Sequence, residues 1–266
     1  MPSTHQDRDS TRHVLVTGAT SGIGEACVHT LLDASPHTRV LGVGRSEEKL
    51  AELQTRHGER FSPLAVDLSH EGSALVLASA CHRYTSGVLH GLVNAAGIIA
   101  SGSIEQTSRE DLEAMLSINV LAPFDLVREL LPQLRQARQR GEHASVVNIS
   151  SVSGLRPYPN LSAYCISKAA LDQMTRCMAI ELAPEQITVN AVNPGVVVSA
   201  LHRRGGMSEE QYEAFLARGA ETHPTGRVGN AEEIASLIAY LLSEQAGWMT
   251  GETISIDGGR HLTSAR

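Results

Sequence analysis

The chain has 266 residues, 42% of them hydrophobic and 3% aromatic, with a formal net charge of −7. That balance excludes an intrinsically disordered chain and gives no basic face for nucleic acid. No apolar run reaches the roughly 18 residues that a membrane-spanning helix requires.

Residues 1–12, "MPSTHQDRDSTR", are polar and lack an apolar segment, so they read as a flexible N-terminal tail and not as a secretory signal. "HVLVTG" then reads as a first strand, followed by a helix from about Gly22 to Ala34, and "RVLGVG" as a second strand. The charged run "SEEKLAELQTRHG" is a helix, and "FSPLAVDL" supplies a third strand. A helix through residues 72–84 leads to "GLVNAAG" and, later, to "ASVVNISS" as fourth and fifth strands. "ITVNAVNPG" and "TISIDGG" complete the set, with helices between them.

Such alternation implies parallel strands, right-handed crossovers and helices on both faces. The absence of a linker or repeat makes residues 13–260 a single domain, with 261–266 as a C-terminal tail. Residues 199–224 form a helix-containing excursion, long enough to be a lid or pocket wall. Cys27, Cys81, Cys165 and Cys177 are widely spaced, which predicts free thiols in a reducing, cytoplasmic compartment. The twelve histidines form no metal-ligand cluster, so no metal is expected.

"VLVTGATSGIG" joins the first strand to the first helix. Gly18, Gly22 and Gly24 there allow a tight turn and close approach of helix amides to a pyrophosphate. Asp67, ending the third strand, suits an adenine amino group, and the small residues of "NAAG", Asn94 to Gly97, leave room for a ribose. All of these lie at the carboxyl ends of strands, where open α/β sheets bind ligands. At the end of the second strand Gly44 stands where an acid would select a free 2′-hydroxyl, and Arg45 follows; a guanidinium suits a 2′-phosphate, so NADP(H) is favoured over NAD(H).

"AYCISKAAL" places Tyr164 one helical turn before Lys168, one of two lysines in a chain with twenty arginines. An ammonium on the same helix face favours the phenolate of a side chain whose free pKa is near 10. Tyr164 can then exchange a proton with a carbonyl or alcohol oxygen.

With T-G-x-x-x-G-x-G at Thr17 to Gly24, N-A-A-G at Asn94 to Gly97 and the Tyr164-x-x-x-Lys168 pair, the chain closely resembles the short-chain dehydrogenase/reductase family. The likeness includes "NISS", "NPG", "GRVGNAEEIA" and "TGETISIDGG" and covers roughly residues 13–260. The resemblance implies a Rossmann-type, doubly wound seven-stranded sheet. It implies Tyr164 as acid/base, Lys168 as the residue that lowers its pKa and binds the nicotinamide ribose, and Ser151, with Ser150 as the weaker candidate, as holder of the substrate oxygen. Asn119 matches an asparagine that anchors a water in the proton relay.

The same resemblance assigns Thr17, Gly18, Ser21, Gly22, Ile23 and Gly24 to the diphosphate turn, and Asp67 and Leu68 to the adenine site. Asn94, Ala95 and Gly97 would border the ribose side, and Pro194, Gly195, Val197 and Ser199 the nicotinamide. Pocket walls are expected from residues 152–161 and the excursion, with Leu155, Tyr158, Leu201 and His202 as candidates.

The expected activity is hydride transfer between nicotinamide and a small-molecule ketone or secondary alcohol. A 3-oxoacyl carrier-protein reductase, with Arg138 and Arg140 docking an acidic carrier, is the enzymatic alternative, against which Glu185 stands where such enzymes often carry a basic residue. A non-catalytic nucleotide sensor is the other alternative. The resemblance also implies a homotetramer or homodimer, with the helices after Asn119 and Ser162 at an interface.

Overall fold

The β-rich runs fold in chain order as β1 (Arg12–Thr17), β2 (Thr38–Gly44), β3 (Phe61–Ala65), β4 (Gly91–Asn94), β5 (Ala144–Ile149), β6 (Ile187–Pro194) and β7 (Thr253–Ile256). They are seen in a computed structural model that describes residues 11–263. Every neighbouring pair is parallel, in the order β3-β2-β1-β4-β5-β6-β7. The order reverses between β1 and β4, which opens a crevice beyond their carboxyl ends. β5 and β6 are buried at every residue, so their polar side chains, such as Asn148 and Asn193, depend on partners within the protein.

Among the described residues, ten α-helices cover the sheet: α1 (Gly22–Ala34), α2 (Glu47–His57), α3 (Ser73–Thr85), α4 (Arg109–Leu116), α5 (Ala122–Gln139), α6 (Val152–Leu155), α7 (Ser162–Leu182), α8 (Leu201–Arg204), α9 (Glu209–Thr222) and α10 (Ala231–Leu242). Aliphatic residues of α1, α2 and α10 pack one face, and those of α3, α5 and α7 the other. No helix of the described residues is long and apolar enough to cross a membrane.

β4, β5 and β7 end earlier than expected, at Asn94, Ile149 and Ile256, and three further boundaries differ for a visible reason. Arg12 belongs to β1, because its amide pairs with His37 O at 2.9 Å. β3 ends at Ala65; Asp67 instead turns its carboxylate back onto the Ser69 amide at 2.9 Å. Residues 260–262 form a 3₁₀ turn, held because the Asp257 carboxylate binds the amide and ring of His261 at 2.6 and 2.8 Å. The rest of the expected tails, residues 1–10 and 264–266, lie outside the described residues.

One buried chain of side-chain hydrogen bonds fixes α7 on the sheet. Asn94 Nδ2 donates to Asn148 Oδ1 at 2.8 Å, Asn148 Nδ2 to Thr175 Oγ1 at 2.9 Å, and Thr175 Oγ1 to Leu171 O at 2.8 Å. All three side chains are at most 2% exposed, so water cannot replace a lost partner. The chain links the carboxyl ends of β4 and β5 to the middle of the helix that carries Tyr164 and Lys168.

Asn148→Ala strands a donor on Asn94 and an acceptor on Thr175. It is expected to lower the unfolding free energy by about 2–4 kcal/mol in urea titrations. A loss below roughly 0.5 kcal/mol would show that the chain contributes nothing net.

Candidate active site

A cavity of about 900 Å³ lies along the carboxyl ends of the strands. Its first half is built on the turn between β1 and α1. Thr17, 1% exposed, donates to Val93 O at 3.3 Å and accepts from the amides of Ala95 and Ala96, both at 3.1 Å, so the turn and the segment after β4 hold together. Gly18 takes a φ of 66°, and a Cβ there would come within 2.8 Å of Ala96 N. At Gly24 a side chain would overlap the Gly18 carbonyl. Only a bare backbone fits both positions.

The N-terminus of α1 is open. Ser21 occupies its cap position but makes no capping bond, whereas Ser46, Ser108, Ser208 and Asn230 cap α2, α4, α9 and α10. Uncapped amides at a helix start attract a phosphate. The glycine cradle, the open helix end and the size of the cavity therefore fit a dinucleotide.

At the far end, Arg45 is exposed on the cavity wall, and its charge helps hold the Asp67 carboxyl below its usual range; the Ser69 hydrogen bonds contribute most. A side chain at Gly44 would come within 2.8 Å of Thr20 Oγ1, so the strand end has no room for an acid.

The second half of the cavity carries Ser151, Tyr164 and Lys168. α6 starts at Ser151, whose hydroxyl accepts from Ser153 N at 3.1 Å, and α7 presents Tyr164 and Lys168 on one face. Burial pushes the Tyr164 phenol up to about 12, and a hydrogen bond from the neighbouring Ser151 opposes that shift. Burial pushes the Lys168 ammonium down to about 8, with the Asp172 carboxyl opposing. Lys168 Nζ donates to Ile149 O at 2.8 Å and lies 5.7 Å from the Tyr164 ring centroid. No direct hydrogen bond joins the two side chains among the described residues. Ser150 also borders the cavity, but its hydroxyl is engaged, donating to Lys168 O at 3.3 Å.

Asn119 lies in a π-helical turn, Ser117–Leu121, that precedes α5. Its Oδ1 accepts from Ile98 N at 2.9 Å, and its Nδ2 donates to Ile98 O and to Ser167 Oγ, both at 3.0 Å. A Cβ on Gly97 would stand 3.3 Å from Asn119 Oδ1 and 3.7 Å from Lys168 Nζ, so Gly97 keeps open the space between them.

Of the expected residues, Gly18, Ser21, Gly22, Ile23, Arg45, Asp67, Leu68, Ala95, Gly97, Ser151, Tyr164, Lys168, Pro194, Gly195, Val197 and Ser199 line the cavity. Thr17, Gly24, Asn94 and Asn119 stand behind its wall and shape it through their hydrogen bonds or lack of side chain. Tyr158, Leu201 and His202 are on the wall, whereas Leu155 is exposed and off it. Arg138 and Arg140 lie before the start of β5, at the end of the sheet opposite the cavity. Glu185 is paired with Arg135 at 2.5 Å.

Sequence reasoning missed Arg204. From the end of α8 it donates to Ser21 Oγ at 2.9 Å and joins the excursion to the glycine turn. The basic run His202-Arg203-Arg204 was the available signal. Tyr212 on α9 secures the base of the same excursion, accepting from Ser199 N at 3.0 Å and donating to Ser199 O at 2.9 Å.

A family model described as enoyl-(acyl carrier protein) reductase matches residues 18–261. The L-xylulose reductase of Caenorhabditis elegans is 34% identical over 262 residues, covering 97% of this chain and 98% of that protein. The structure of a Pseudomonas aeruginosa RhlG/NADP active-site complex matches with a TM-score of 0.84 and 36% identity, covering 95% of this chain and 97% of that one. A 3-ketoacyl-(acyl-carrier-protein) reductase from Brucella melitensis, complexed with NADH, matches with a TM-score of 0.85 and 28% identity, covering 95% and 99%. The chain belongs to the short-chain dehydrogenase/reductase family and is a nicotinamide-dependent oxidoreductase.

Lys168 carries a stability cost whose sign follows from its shift. Between pH of about 8 and 10.5 the unfolded chain still binds the proton that the folded chain has released, so stability rises with pH across that window. Below it, the full cost of the buried ammonium remains. Lys168→Met is expected to stabilise the protein at pH 7 by roughly 1–2 kcal/mol, the gain shrinking toward high pH. Thermal unfolding at pH 7 and pH 10 checks this; a variant less stable than the parent at pH 7 contradicts it.

Proposed function

We propose that the chain is an NADP(H)-dependent reductase or dehydrogenase acting on a ketone/secondary-alcohol pair, with Tyr164 as its acid/base. The observation that carries this reading is the shared wall on which Ser151, Tyr164 and Lys168 meet, opposite an uncapped helix end and a glycine cradle. The cradle and α1 amides would hold the diphosphate, Asp67 and Leu68 the adenine, and Ala95, Gly97 and Lys168 the ribose next to the nicotinamide. Pro194, Gly195, Val197 and Ser199 would border the nicotinamide, which when bound supplies or accepts the hydride.

Tyr164 gives its phenolic proton to the carbonyl oxygen, or takes the alcohol proton in the reverse direction. Ser151 donates to that same oxygen and steadies its developing charge. Lys168 uses one N–H on Ile149 O, which leaves two for a ribose, and its charge favours the phenolate that burial disfavours. Asn119, on the far side of Gly97, anchors the water through which the proton is replaced.

Arg45 supports the choice of NADP(H), since it meets a 2′-phosphate where Gly44 leaves no acid to repel one. The carrier-protein alternative loses its docking argument, because Arg138 and Arg140 lie away from the cavity mouth. A homotetramer or homodimer is supported by exposed apolar side chains at the expected helices, Leu121 and Phe124 on one side and Ile166 and Ile180 on α7. Four free cysteines support a reducing, cytoplasmic setting.

Two measurements test the reading. Tyr164→Phe is expected to lower kcat by about 10²–10⁴-fold while NADPH still binds, as followed by cofactor fluorescence. Wild-type turnover in the variant would end the acid/base assignment. Arg45→Ala is expected to weaken NADPH by about tenfold or more with little effect on NADH. An equal effect on both cofactors, or a wild-type preference for NADH, would remove the basis for NADP(H).

A further inference from the structure

The mouth of the cavity on the Tyr164 side carries cationic charge that no carboxylate of the described residues balances. Tyr158 and Arg260 both line the cavity. The Arg260 guanidinium lies 5.2 Å from the Tyr158 ring centroid, and that of Arg156 lies 5.3 Å from the same centroid. Two guanidinium groups are thus held within about 11 Å of each other on a partly buried ring, where like charges repel more than in water.

Neither arginine has a salt-bridge partner among the described residues. Arg260 donates through Nε to Tyr158 Oη at 3.3 Å and through Nη1 to Thr222 Oγ1. Arg156 donates to the carbonyls of Arg260, at 3.0 Å, and Thr263. The nearest acid in sequence, Asp257, is 6% exposed and already engaged by His261 and by Gly259 N at 3.0 Å. Glu113, on the cavity wall, pairs with Arg109 at 2.7 Å. The arginines are oriented by neutral groups and an aromatic ring, which fixes their planes without neutralising them. A planar guanidinium so held is suited to a bidentate carboxylate or phosphate.

We propose that Arg260, buttressed by Arg156 and Tyr158, binds an anionic group of the carbonyl substrate, so that the enzyme acts on ketones bearing a carboxylate or phosphate. This rests on the reading of Tyr164 as the acid/base of carbonyl reduction. The anion sits at the mouth and the carbonyl at Ser151 and Tyr164, so Arg260 selects the substrate and takes no part in proton transfer.

The test compares matched probes under NADPH and NADH: acetoacetate against ethyl acetoacetate, and acetoacetyl-4′-phosphopantetheine against acetoacetyl-pantetheine. The wild type is expected to prefer the anionic member of at least one pair by about tenfold or more in kcat/KM, and the pair identifies carboxylate or phosphate as the source. In Arg260→Ala that ratio is expected to fall about tenfold, chiefly through KM of the anionic member, and Arg260→Lys is expected to recover part of it. Because the ratio is taken within one variant, partial unfolding does not change it. Equal use of both members by the wild type, or a ratio that survives Arg260→Ala, overturns the proposal. Failure to reduce any probe with either cofactor overturns the carbonyl-reduction reading and the proposal with it, whereas turnover confined to neutral probes overturns the proposal alone.

Discussion

The hydrogen bonds that the Asn148 amide makes to Asn94 and Thr175 are the constraint on which the site depends. α7 packs on the sheet through aliphatic side chains, and such contacts do not by themselves fix its rotation or its shift along its own axis. A buried amide chain does, because a displacement of one residue would leave several polar atoms unpaired in the dry interior. With α7 fixed, Tyr164 and Lys168 come up beside Ser151, and Asn193 completes the arrangement by donating to Ser151 O at 2.9 Å and Asp172 Oδ2 at 3.0 Å.

The site built this way is electrostatically expensive. Burial drives the Tyr164 phenol and the Asp172 carboxyl up and the Lys168 ammonium down, so the charged form of each is disfavoured. The two aliphatic cores on either face of the sheet carry the stability that tolerates this. Both Lys168 and Tyr164 are buried, with Lys168 Nζ 5.7 Å from the Tyr164 ring centroid, and a charge so placed is screened less than one in water.

The excursion after β6 links the two halves of the cavity. Tyr212 pins its start at Ser199, and Arg204 ties its first helix to Ser21 on the glycine turn. The nucleotide half and the substrate half therefore share one covering segment. Arg260 enters the same mouth from the end of the chain, so Tyr158 and Arg260, which share one wall, come from segments 102 positions apart.

Local spacing determined what the sequence could show. The Tyr164–Lys168 pair is one turn of one helix, the glycines lie within one strand–helix turn, and the strands announce themselves by composition. For these, the residues that cooperate are neighbours in the chain. Tertiary structure alone decided the rest: that Asn94 ties β4 to β5 from behind the cavity wall, that Thr20 fills the space beside Gly44, that Arg204 reaches Ser21, and that Arg138 and Arg140 fall at the wrong end of the sheet. Arg156 and Arg260, two of twenty arginines, are ordinary in sequence and become a pair only when β7 returns to the edge of the sheet next to β6. The physical reason is that hydrogen bonds and charges act over a few ångströms of space. A partner 54 or 183 residues away leaves no spacing to read.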